Sequence, residues 1–396
     1  MTPVVRQFAA CPRAEYLPEP VMAETFCDPL GIAAFWAKWY LDGFVDQGNG
    51  KVKVVLGRPG AGKTHLLRYV AYLARNRGYT TALIDAGRHR LASIDEVYRL
   101  VARQIAWQPL VEHWLIQIVQ RDLGYVEFQG RSASDLAAWA RGGGVRDLML
   151  FQRDVREAVE RRLHSLDLAR DFFVAVRSLA LSLAMEGEPR GGLVTWILGD
   201  RLDAASRRAL GLGDNVNRQN GRALLASLAR LLHGLGQRGL VIAVDNIQAV
   251  AATRRVEGQP YYTRANRDQH YEMLRQLIDD TAITPYLMVY VVGDLESVTN
   301  VRSGFPSYPA LWARLQNEVK SSLPNLFADV ISLDELWAAD QELGEQLAAR
   351  WSAARPWTEL TPIEEAAPDS YRVEWALPRR LVVDVLHHEL PEEGEG

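Results

Sequence analysis

The octet Gly57-Arg58-Pro59-Gly60-Ala61-Gly62-Lys63-Thr64 fits G-x-x-x-x-G-K-[ST] at every defined position. Such a loop works only between a buried strand and the first turn of a helix, so it dictates the local fold around it. Both neighbours are present in the pattern. Residues 51–56 (KVKVVL) alternate as a strand, and residues 65–77 carry apolar side chains at helical spacing. Glycines let successive backbone N–H groups, up to that of His65, turn toward phosphate oxygens, and the helix N-terminus adds partial positive charge. Lys63 would neutralise the β- and γ-phosphates, while Thr64 would offer its hydroxyl to Mg²⁺.

Further strands read at 80–85 (TTALID), 240–245 (LVIAVD), 286–292 (YLMVYVV) and 328–333 (ADVISL). They are short, mostly apolar, and separated by helical stretches, which predicts a parallel sheet buried on both faces in an α/β fold. A second carboxylate for Mg²⁺ is expected from Asp245, at the end of an apolar strand. The residue after it, Asn246, can orient a water but cannot take its proton, so hydrolysis is expected to be slow unless Gln248, Asp294 or another group serves. If the strand ending at Asp294 lies between the other two, the order is 5-1-4-3-2 and Asp294 faces the γ-phosphate as a sensor. That order is typical of P-loop ATPases with an added strand between the P-loop strand and the one ending in Asp245. About 150 residues between 86 and 239 show no strand, far more than one crossover helix needs. The expected division is an N-terminal helical segment (1–45), an ATPase core (46–110 and 200–335), a helical insertion (111–199), and a C-terminal helical lid with an acidic tail (336–396).

Arg314 falls on a helix between the last two strands, a place from which an arginine could reach a neighbouring copy's site. Arg379 and Arg380 open a last amphipathic segment and could reach nucleotide in cis. A surface salt bridge is the competing role for each. Arg254, Arg255, Arg264 and Arg267, interleaved with Tyr261 and Tyr262, could meet a phosphate backbone, although an ordinary solvated loop is the better explanation. Trp36, Tyr40 and Phe44 share one helical face and are read as packing against the sheet. Only five of the 45 cationic residues are lysine and the net charge is −4, so any DNA contact must be a local patch. Two cysteines exclude a disulfide framework. No apolar run approaches a membrane span of about 20 residues, and the start lacks a signal peptide's apolar region, so a cytoplasmic location is expected.

The P-loop followed by His65-Leu66-Leu67 is joined by three further strings. They are residues 191–199 (GGLVTWILG), 231–236 (LLHGLG) leading into 239–242 (GLVI), and Tyr308-Pro309-Ala310-Leu311 ahead of Arg314-Leu315. Together they resemble the ATP-binding proteins of bacterial BREX phage-defence systems, the BrxD-like group, relatives of the AAA+ initiator and helicase-loader ATPases. The resemblance runs from about residue 52 to 336. It implies ATP and Mg²⁺ at Lys63, Thr64 and Asp245, and a role beside a helicase or other DNA-processing partner. It also marks a departure, since such proteins usually carry Asp-Glu where this chain has Asp245-Asn246. Three readings follow: an ATPase switch that assembles as a homo-oligomer on duplex DNA, a nearly hydrolysis-inactive ATP-binding scaffold, and a small-molecule kinase. The long insertion and the absence of an acceptor-site signature weigh against the third.

Overall fold

Five strands form one parallel sheet in the order β2-β3-β4-β1-β5, which from the opposite edge reads 5-1-4-3-2. They are β1 (Gly50–Leu56), β2 (Thr80–Asp85), β3 (Leu240–Asp245), β4 (Leu287–Gly293) and β5 (Val330–Ser332). The computed structural model of the chain describes residues 18–252, 258–281, 283–319, 325–339 and 342–354. Helices that position the features below are α1 (Glu19–Thr25), α2 (Lys63–Asn76), α3 (Ile94–Ala102), α4 (Leu148–His164), α5 (Arg170–Glu186), α6 (Gly221–Gly234), α7 (Arg264–Asp280), α8 (Pro309–Val319), α9 (Leu333–Ala339) and α10 (Leu343–Ala354).

Period-two alternation divides each strand between two cores. Val52, Val54, Ile84, Ile242, Val244, Val289 and Val291 face one, while Val55, Val241, Ala243, Met288, Tyr290 and Val292 face the other. Covering both faces is what allows these strands to be apolar almost throughout.

On the first face lies the helical stretch between β2 and β3, which contains no strand. Its Trp107, Phe151, Phe172 and Trp196 join the same continuous cluster as Ile84 and Val244. Polar ties fix how it sits. The Tyr98 hydroxyl donates to the Ile197 carbonyl at 2.8 Å, and Arg99 donates to the carbonyls of Gly199 and Val216 at 3.0 and 2.7 Å. Gly199 is required twice over there. Its φ is +86°, and an added Cβ would lie 2.4 Å from Arg99 Cγ. The glycine break at 142–144 also falls between helices, where Gly143 at φ 94° ends one and the Asp147 carboxylate caps α4 by accepting Leu150 N–H.

The opposite face is covered by α2 and by the segment ahead of β1. Trp36 packs on Tyr290 with ring centres 5.1 Å apart, and Tyr40 is buried, as the aromatic stripe predicts. Phe44 departs from the stripe and is 37% exposed. From Ala37 to Val45 the helix is wound as a π-helix, whose wider turn moves every fourth residue off an α-helical face. Leu41 and Val45 take the buried positions instead. Lys53 on β1 is fully buried there, donating to the Phe327 and Ala328 carbonyls with its ammonium 4.3 Å from the centre of the Tyr40 ring. Among the described residues, no helix is long and apolar enough to cross a membrane.

His270 on α7 is fully buried, and burial pushes its pKa from 6.5 down to about 4 against the opposing hydrogen bond to the Leu91 carbonyl. Through that window the unfolded chain takes up a proton that the fold rejects, so stability falls as pH falls and is unaffected above it. His65, lowered to about 4 by burial, acts in the same direction. We expect the urea midpoint to drop between about pH 7 and about pH 5, and to drop less in His270→Gln. An equal drop in the variant would remove His270 as a cause.

Candidate nucleotide site

The octet forms the link between β1 and α2. Gly60 and Gly62 have φ of 83° and 87°, conformations that favour glycine, and Gly62 precedes α2 without any side-chain cap. The first-turn N–H groups of α2 therefore meet no capping side chain, as an anion-binding helix end requires. The loop is held from three sides. Gly57 N–H donates to the Gly293 carbonyl at 3.3 Å. Arg58 donates from its backbone N–H and its Nε to Asp334 at 2.7 and 2.9 Å. Trp337 Nε1 donates to the Ala61 carbonyl at 3.1 Å.

Lys63 and Thr64 start α2. The Lys63 ammonium lies 2.7 Å from Asp294 Oδ1 and donates to the carbonyls of Gly57 and Arg58 at 2.8 and 3.0 Å. Asp294 follows the tip of β4, between β1 and β3. Thr64 Oγ1 donates to Asp245 Oδ2 at 2.6 Å, joining residues 181 positions apart. Burial raises the Asp245 carboxyl above the usual carboxylate range, opposed by the Thr64 hydroxyl, the Asn246 N–H and the Lys63 charge. A hydroxyl and a carboxylate thus meet beside the loop, and the chemistry of that pair would suit Mg²⁺.

Asn246 adopts φ 60°, and its backbone N–H donates to Asp245 Oδ1 at 2.8 Å. Both ends of its side chain are engaged: Nδ2 donates to Asp85 Oδ1 at 2.9 Å and Oδ1 accepts from Gln248 Nε2 at 3.2 Å. Asp85 escaped the sequence reading. The signal was there, since TTALID ends in aspartate as LVIAVD does. Asp334 and Trp337 carried no comparable mark.

Other candidates lie elsewhere. The His65 side chain is buried, with Nε2 donating to the Met22 carbonyl at 2.7 Å, so only its backbone could meet phosphate. Arg314 is 37% exposed and held bidentately by Asp279 at 2.8 and 2.9 Å. Tyr262 is buried, its hydroxyl accepting Leu91 N–H at 2.8 Å, so it serves the core and cannot stack on a base. Arg264 and Tyr261 are exposed, but Arg264 and Arg267 do not lie in a loop: Thr263 caps α7 and both arginines fall in its first turn. Arg254, Arg255, Arg379, Arg380 and the acidic tail lie outside the described residues.

The parallel sheet, the glycine loop at the tip of β1 and the Thr64–Asp245 contact define a protein of the P-loop nucleotide-binding class. A family model described as BREX system ATP-binding protein BrxC/D matches residues 41–356, and the chain belongs to that family of phage-defence ATP-binding proteins. Comparisons with curated proteins and with solved structures find no match.

Asp294 holds the ammonium that phosphate would need. Removing its charge while keeping an acceptor should tighten ATP binding by about 1 kcal/mol, roughly fivefold, in Asp294→Asn. Lys63→Ala should abolish binding. Titration with a fluorescent ATP analogue checks both, and weaker binding by Asp294→Asn would show that this carboxylate helps to hold nucleotide.

Proposed function

We propose that this chain is an AAA+-type ATP-binding switch with slow hydrolysis, acting in phage defence with duplex DNA, further copies of itself and a helicase or other DNA-processing partner. The Thr64–Asp245 hydrogen bond carries the nucleotide part, because distant parts of the chain meet as a metal-ligand pair at the P-loop. In this reading Lys63 and the loop N–H groups bind the phosphates, and Thr64 and Asp245 hold Mg²⁺, which supplies charge neutralisation at the transferring phosphate. The AAA+ assignment is supported by β4 standing between β1 and β3, with Asp294 after its tip. Family membership supports ATP and defence. The DNA and helicase parts rest on the resemblance to loader ATPases and on the exposed Arg264 beside Tyr261.

The oligomer part rests on Arg314, which would have to leave Asp279 to act on a neighbour. A small-molecule kinase remains the weakest reading. Asn246 favours one other, a scaffold in which nucleotide stabilises an interface without turnover, since losing a positioned base typically costs about 10²–10⁴-fold in rate.

Particle mass and ATP turnover with and without duplex DNA separate the two. The switch reading expects ATP and DNA together to build a larger particle with turnover above background, both lost in Lys63→Ala. Assembly without turnover would leave the scaffold. Replacing Arg254, Arg255, Arg264 and Arg267 together by alanine should weaken DNA binding and flatten its salt dependence. Unchanged affinity and slope would exclude these four arginines as the contact.

A further inference from the structure

A carboxylate can take the proton of the attacking water, and the residue after Asp245 is an amide instead. The neighbouring strand ends in a carboxylate. Asp85 ends β2 as the register partner of Asp245, the residue read as holding Mg²⁺, so the two strand tips stand level on adjacent strands. The Ala86 N–H donates to the Asp245 carbonyl at 2.9 Å, which ties the two tips together. Asp85 Oδ1 accepts the Asn246 amide at 2.9 Å and the Gly87 N–H at 2.7 Å, and Oδ2 lies 3.3 Å from Arg88 Nε.

The backbone is arranged around this contact. Asn246 occupies the left-handed region, which asparagine tolerates better than most residues and glutamate does not favour. Gln248 holds the other end of the same amide, and its own Oε1 is buried without a partner among the described residues. Asn246 is thus a bridge with its donor on a carboxylate and its acceptor on an amide. An Asn in this place does not leave the locality without an acid. It positions the acid of the next strand.

We propose that Asp85 is the catalytic carboxylate of this site and Asn246 its positioning residue. The inference rests on the hydrolysing reading above. In the step, Asp85 takes a proton from water as the water oxygen bonds to the γ-phosphorus. The bond from that phosphorus to the β,γ-bridging oxygen breaks, its electron pair leaving with ADP. Asp85 then returns the proton to solvent, and inorganic phosphate departs.

The test compares wild type, Asp85→Asn and the exchanged pair Asp85→Asn with Asn246→Glu. It reads ATP turnover, the affinity for a fluorescent ATP analogue, and the identity of nucleotide recovered from the protein after incubation with ATP. Asp85→Asn should lose turnover by at least about 100-fold, keep analogue affinity within about threefold, and yield ATP where wild type yields ADP. The exchanged pair should recover turnover at least about tenfold above Asp85→Asn, which a merely structural role for Asp85 would not produce. Turnover by Asp85→Asn at the wild-type rate overturns the assignment while hydrolysis stands, as does a loss of turnover matched by loss of affinity. A wild type that itself yields only ATP overturns the hydrolysing reading, and this assignment with it.

Discussion

The contact between Thr64 and Asp245 depends on strands that never touch. β4 lies between β1 and β3, so their tips are level only if two successive registers are correct: Leu56 against Gly293, and Val244 against Val291. A slip of one residue would turn every side chain of a strand to the opposite face. Here each face has its own core, so a slip would bury the wrong set on both sides at once. The two apolar clusters therefore specify the chemistry at the strand tips. The helical stretch between β2 and β3 fills one of those cores, and the segment ahead of β1 fills much of the other.

The arginine excess has a similar structural use. Arg238 bridges Asp42 and Asp46, Arg162 holds Asp122, and Arg222 pairs with Asp280. Arg275 sits between Glu272 and Asp279, and it shares Asp279 with Arg314. Arg238, Arg162, Arg222 and Arg314 join separate elements, several of them through the bidentate geometry for which arginine is suited, while the pairs of Arg275 lie within α7. Exposed pairs of this type contribute little stability singly, but they set the angles at which elements meet.

The strands and the P-loop were legible because local pattern determines them: apolar runs for one, glycine and lysine spacing for the other. Legibility fails where placement depends on contacts remote in sequence. Nothing local separates Tyr262, whose hydroxyl reaches Leu91, from its exposed neighbour Tyr261. Phe44 moved because a change in helical winding is not written in apolar spacing. Asp85 acquires its meaning only beside Asn246, 161 residues away. The strings behind the family resemblance, the P-loop aside, are largely architectural. Gly192 and Gly199 have positive φ, His233 stacks on Tyr286 at 3.7 Å, and Tyr308 donates to Glu272 at 2.8 Å. They identify the scaffold more than the reaction, which explains why the departure at Asn246 leaves them intact.

The phosphate loop is also where the two outlying parts of the described chain converge. Asp334 and Trp337 of α9 grip Arg58 and Ala61, while Met22 of α1 holds His65. Arg350 of α10 closes the circuit by donating to the Phe26 carbonyl at 2.7 Å. The loop is thus a keystone between segments more than 300 positions apart. A pull on either segment would reach the peptide groups of the loop by a mechanical route that needs no movement of the sheet.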